Sequence, residues 1–183
     1  MRTGLYSEIL MEVSMKIVLA GIAFAAMAFA STQTFAEGRW KQVENKENCA
    51  VWDEEPASNE TVSWTGDCKD GKANGYGKQV WRYYDFPKWK GTLRGWRKST
   101  YIGMMRGGKK DGHGVLTWPD GGKYDGQWRN NKRDGKGTWI TADGEKCEGI
   151  WHYQKMVGQG KTERDGKTMK CSVLDGKISV SNQ

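Results

Sequence analysis

The sequence offers no conventional core in its most regular region. The stretch YDGQWRNNKRDGKGTWITADGEK, Tyr124 to Lys146, has no apolar run long enough to build one. Histidine is scarce: there are only His113 and His152, neither at ligand spacing from a cysteine, and no Cys-x-x-Cys occurs. That argues against a structural zinc site. No Gly-x-Ser-x-Gly elbow is present. The acids Asp111, Asp120, Asp134 and Asp143 cluster where Asp-Gly turns account for them. An enzyme needs a nucleophile with its base, an acid–base pair or a metal, and none is visible. The expectation is a non-catalytic chain with no metal and no cofactor.

What is present begins with an export signal. From Met15 the chain reads MKIVLAGIAFAAMAFASTQTFA: one lysine, about fourteen apolar residues, then a short polar stretch ending in Thr34-Phe35-Ala36. The run is shorter than the ~20 residues a membrane-spanning helix needs. Residues 1–36 are therefore expected to be a cleaved signal peptide, its true start possibly Met15 because Glu8 and Glu12 suit a signal poorly. All four cysteines (Cys49, Cys68, Cys147 and Cys171) lie beyond the cut. An even count in an exported chain argues for two disulfides, and four cysteines allow three pairings. Cys49–Cys68 and Cys147–Cys171 are favoured because each closes a short loop at one end of the chain.

Charge is uneven. Residues 37–61 carry three bases and seven acids, and residues 62–100 carry nine bases and three acids. Most of these residues are expected to be solvated surface charge, with an acidic arm packed on the basic module, or a basic face that meets an acidic partner, as the alternatives. Residues 78–98, KQVWRYYDFPKWKGTLRGWRK, hold seven bases, one acid and six aromatics. Within this stretch Lys88, Lys90, Arg94 and Arg97 form a basic patch. It suits weak contact with an anionic membrane surface better than nucleic acid, which an exported protein seldom meets.

The most informative feature is self-similarity. YIGMMRGGKKDGHGVLTWPDGGK, Tyr101 to Lys123, aligns with the next stretch at a shift of 23 residues, and CEGIWHYQKMVGQGK begins a further copy at Cys147. Tyr101, Tyr124 and Cys147 share a slot, as do Gly103, Gly126 and Gly149; Met105, Trp128 and Trp151; and Gly114, Gly137 and Gly160. An earlier copy starts at Trp64, and a half-copy opens at Trp89. Such a period specifies stacked units. In each unit Tyr124, Gly126 and Trp128 alternate onto one face of a strand. A glycine-flanked NNKRDG turn leads to the strand KGTWIT, and Asp-Gly turns lead to the next copy. Glycines at Gly126 and Gly137 leave room for a ring from a neighbouring strand. The predicted fold is all-β, a meandering antiparallel ribbon of β-hairpin repeats. Its expected divisions are residues 1–36 signal, 37–61 acidic arm, 62–161 repeats and 162–183 a closing hairpin.

The pattern Tyr-x-Gly-x-Trp, Gly-x-Gly and Asp-Gly at this period resembles the MORN repeat family. The resemblance implies protein–protein interaction and, less firmly, binding of phospholipid head groups. It points to a periplasmic binding or scaffolding module for a protein or glycan partner in the cell envelope. The alternatives are an envelope phospholipid or polyanion binder and, further off, an envelope hydrolase. The groove candidates are Trp81, Tyr101, Trp118, Tyr124, Trp128, Trp139 and Trp151, with which are packed and which open left undecided. Exposed ribbon edges suit a homodimer. Lys132, in the turn, is expected to be solvated.

Overall fold

The computed structural model describes residues 38–57, 59–85 and 95–181. The signal peptide expected over residues 1–36 lies outside these, as do Trp89, where the half-copy opens, and Lys88, Lys90 and Arg94 of the basic patch. Among the described residues there is no helix, and therefore none long and apolar enough to cross a membrane.

Thirteen strands run β1 (Arg39–Gln42), β2 (Ala50–Asp53), β3 (Glu60–Trp64), β4 (Asp67–Lys69), β5 (Lys72–Asp85), β6 (Gly95–Arg106), β7 (Lys109–Thr117), β8 (Lys123–Arg129), β9 (Lys132–Ile140), β10 (Lys146–His152), β11 (Lys155–Arg164), β12 (Lys167–Leu174) and β13 (Lys177–Ser181). From β5 onward each strand pairs antiparallel with the next. The long β5 pairs with β3 and β4 on its other side. One short departure exists: β2 meets β5 in parallel at Ala50 and Lys72. The all-β meander expected from the repeat is the fold.

The turns are tighter than the sequence suggests. The expected NNKRDG turn shrinks to Asn130 and Asn131, both left-handed at φ 48° and 68°, and Lys132–Gly135 already belong to β9. Two consecutive residues in that region make the two-residue hairpin whose twist matches the strands, and asparagine tolerates it better than most residues.

Glycine and aromatic rings replace a conventional core. Gly77, Gly103, Gly114, Gly126, Gly137 and Gly149 stand opposite one another across six consecutive strands. Tyr101 lies across Gly114, and Tyr124 across Gly137. A Cβ built on Gly137 would fall 2.5 Å from the Tyr124 Cζ. Trp64 covers Gly66 and Gly77 in the same way. In the copy opening at Cys147 no tyrosine is available, and the Met156 methyl occupies the space over Gly149 and Gly160. Burial of one ring, roughly 150–250 Å², contributes up to about 4–6 kcal/mol by area.

Polar atoms of these rings are satisfied by the backbone. The ladder slips between Gly103 and Met105 and between Gly126 and Trp128. The Tyr101 hydroxyl donates to the Met104 carbonyl at 2.7 Å, and that of Tyr124 to Gln127 at 3.1 Å, serving the residue each slip leaves unpaired. Trp128 and Trp151 donate their indole N–H to the carbonyls of Gly114 and Gly137 at 2.9 and 3.2 Å.

Disulfides join Cys49 to Cys68 and Cys147 to Cys171, leaving no free thiol. The second bond takes the tyrosine slot of its copy and ties β10 to β12 across β11. The oxidised protein, denatured and reacted with a thiol reagent, is expected to titrate no thiols; two or more would remove this framework.

Candidate functional site

The ring-bearing face carries a cleft of about 350 Å³. Its floor is Trp81 from β5, Leu116 from β7, Trp118 just past β7 and the edge of Trp128. Lys110 and Arg133 come from β7 and β9 beside Asn131 and Gln154, and the end of β2 with the residues that follow it, Trp52 to Glu55, closes the lining.

The turn residues hold this arrangement in series. The Asn131 side-chain oxygen accepts the Lys110 N–H at 2.7 Å while the Asn131 backbone N–H donates to the Lys110 carbonyl at 2.9 Å. One period later Gln154 repeats both bonds with Arg133. One period earlier the slot is Gly108, at φ 77°, with no amide to offer. There the N-terminal arm takes over: Trp52 N–H donates to the Gly108 carbonyl at 2.8 Å. A Cβ at residue 108 would fall 2.6 Å from the Trp40 ring, so glycine is what lets the arm dock.

The arm therefore sits on the first repeat turn and reaches beyond it. Some of its acids are paired rather than solvated, and their partners lie outside the basic first module. Glu54 pairs with Lys132, two copies along, at 2.5 Å, and Glu60 pairs with Arg39 within the arm at 3.3 Å. Lys132, expected to be solvated, anchors Glu54 in the cleft's lining. The basic module instead sends Lys72 over the Trp40 ring, at 4.4 Å, and the next copy sends Lys109 over Trp52, at 5.2 Å.

Of the seven groove candidates, Tyr101, Tyr124, Trp128 and Trp151 are buried and serve as packing. Their rings run edge to face at 5.2–5.7 Å between centroids. Trp81, Trp118 and Trp139 are half-buried, and only the first two of these line the cleft. Trp139 lies between Trp118, at 4.7 Å, and Trp151, at 6.0 Å, and donates its indole N–H to Gly176. Arg97 of the basic patch is half-buried in β6.

Lys110 and Arg133 were not singled out from the sequence. Lys110 Nζ stands 5.7 and 5.6 Å from the Tyr101 and Trp128 rings. The Arg133 guanidinium stands 4.6 Å from Trp151, 5.1 Å from Trp139 and 5.8 Å from Tyr124. Burial pulls the Lys110 ammonium down to about 8 and holds the arginine below its ordinary value. Their 23-residue spacing was the readable signal, the same spacing that relates Asn131 to Gln154.

Asp53 is pushed up to about 7, first by burial and then by the hydrogen bond and charge of Glu60. Its Oδ1 accepts the Glu55 N–H at 3.2 Å, while its buried Oδ2 has no hydrogen-bond partner among the described residues. His113 and His152 lie on the opposite face, exposed, paired with Asp125 at 2.8 Å and Asp134 at 3.1 Å. Among the described residues no three metal-binding side chains gather.

The Asp53 shift carries a sign. A folded-state value above the unfolded 3.8 means the fold keeps a proton that the unfolded chain has released. Its stabilising contribution is full below pH ~4 and is lost as pH rises through about 7. Melts from pH 4.5 to 8 are expected to fall in this window, and Asp53→Asn should flatten the slope. An unchanged slope in the variant would assign it elsewhere.

Residues 64–82, 101–123 and 124–146 match the MORN repeat model. The half-copy at Trp89 and the copy at Cys147 fall outside the match, although β10 and β11 continue the same hairpin with Met156 in the ring's place. The comparison with curated proteins found no match. With the period, the glycine rows and the ring placement on the page, the chain is a MORN repeat protein.

Proposed function

We propose that this protein is an exported, periplasmic, non-catalytic binding module whose working surface is the cleft, and that its partner is a protein or glycan of the cell envelope. MORN repeats are commonly binding modules. The observation that carries the reading is the division of the aromatics: most are consumed by packing, while Trp81 and Trp118 stay half-open on the floor of one cleft. The two disulfides fit an oxidising compartment. An edge-to-edge homodimer remains part of the proposal, with β1 and β13 as the sheet's two ends.

The test follows the indole N–H signals by NMR while the exported protein is titrated with defined envelope-type glycans and peptides. Trp81 and Trp118 are expected to shift, and Trp96, exposed well away from the cleft lining, to stay. A ligand that moves Trp96 and leaves both cleft signals in place would sink the reading. N-terminal sequencing of the exported chain is expected to begin near Glu37.

A further inference from the structure

Lys110 and Arg133 occupy one slot in successive copies and line one cleft. Among the described residues no carboxylate oxygen lies within ion-pair reach of either; Glu54 and Asp53 attract Lys110 only from farther off, and Arg133 Nε donates to the Gln154 side-chain oxygen at 3.0 Å. Of the acids that line the cleft, Glu54 pairs with Lys132, Asp53 accepts the Glu55 N–H and holds its proton up to about 7, and Glu55 is exposed to solvent. Cations withdrawn from water without a partner charge are costly, and the ring faces beneath them return only part of that cost. An anion entering the cleft would supply the rest.

The floor narrows the class of anion. Trp118 and Trp81 present half-open indoles beside Leu116, a surface for a flat apolar face. The strands beneath, β5 to β9, are each paired on both sides, so no backbone edge is free for an extended peptide to join. A sugar ring carries an apolar C–H face, and an acidic sugar carries a carboxylate on the same small body. The volume, about 350 Å³, is at the small end for ligand sites and suits a short saccharide. Resting on the cleft being the working surface, we propose that it binds an acidic saccharide, the ring against Trp118 and the carboxylate between Lys110 and Arg133.

The full exported chain is titrated calorimetrically with trisaccharides of hexuronate and of muramyl type, with their methyl esters, with neutral chitotriose and with a glutamate-rich peptide. At least one acid is expected to bind, with its ester weaker by about tenfold or more, the loss of one charged hydrogen-bonding partner. Lys110→Met and Arg133→Gln should each cost a similar factor, and Trp118→Ala should weaken acid and ester alike. Arg133 also packs on three rings, so its variant counts only if its melt stays cooperative, and Lys110→Met otherwise carries the test. Equal binding of acid and ester, or indifference to Lys110→Met, overturns the proposal. Chitotriose or the peptide binding in a Trp118-dependent way, with no acid bound, would also overturn it while leaving the cleft as the working surface. Binding by none of the probes defeats the acidic saccharide, and still cleft indole signals in the NMR titration would then defeat the cleft as well.

Discussion

Gly126→Val is expected to cost about 3 kcal/mol or more and to lower the urea midpoint sharply. The reason is geometric. A Cβ on Gly126 would sit 2.5 Å from the Gly137 Cα, 2.7 Å from the Tyr124 hydroxyl and 2.8 Å from the Lys136 carbonyl oxygen. Two of these atoms are backbone of the next strand, held by the ladder, and the third is fixed by its bond to Gln127. Nothing there yields cheaply, so even alanine should be harmful, and the branched valine more so. Lys132→Val gives the scale for comparison. It removes the partly exposed pair with Glu54, a loss of about 1 kcal/mol at most. Equal midpoints for the two variants would show that the row of glycines is not the packing seam described above.

Replacing Cys147 and Cys171 together by serine should cost about 3 kcal/mol, since the bond closes a loop with a sequence separation of 24. The effect is local in kind. Cys147 sits where the other copies place Trp64, Tyr101 or Tyr124, so this slot holds neither ring nor bond once the cysteines are changed. Hydrogen exchange is expected to speed up first in β10 to β13, with β6 to β9 still protected by Tyr101, Tyr124 and Trp128. A double variant that melts with the parent, or that loosens uniformly, would contradict the assignment. Cutting Cys49–Cys68 should behave differently, freeing the arm and with it the arm's part of the cleft lining while the repeats remain folded.

The period made the fold legible. Once Tyr124, Gly126 and Trp128 fall on alternate positions of a strand, their facing follows from geometry, and all three are buried. The glycines' role was readable for the same reason. The turn was misjudged because NNKRDG looks uniformly polar, whereas the backbone needs only Asn130 and Asn131 to reverse. The site was harder. Polar residues in a repeat are usually wet, and nothing local in Lys110 or Arg133 says that the strand aims them at rings. Nor does Lys132 announce a partner 78 positions away in Glu54. Such contacts depend on how the arm returns over the sheet, which a 23-residue pattern does not encode. The aromatic candidates divided for a related reason: composition supplies rings, but only the register separates Trp128, beneath the preceding strand's cation, from Trp118, beyond the strand's end.

The serial clasp of Asn131 on Lys110 and Gln154 on Arg133 has a consequence for how such a protein changes length. The copy at 124–146 both receives a clasp and gives one, while the two disulfides act at the ends. A duplicate of 23 residues inserted between Lys123 and Tyr124 would find a ready seat on either side and disturb neither terminus. It would also add one more cation to the row begun by Lys110 and Arg133. The ribbon is thus graduated in single charges, and adding or removing a copy changes the length of that row without redesigning any part of it.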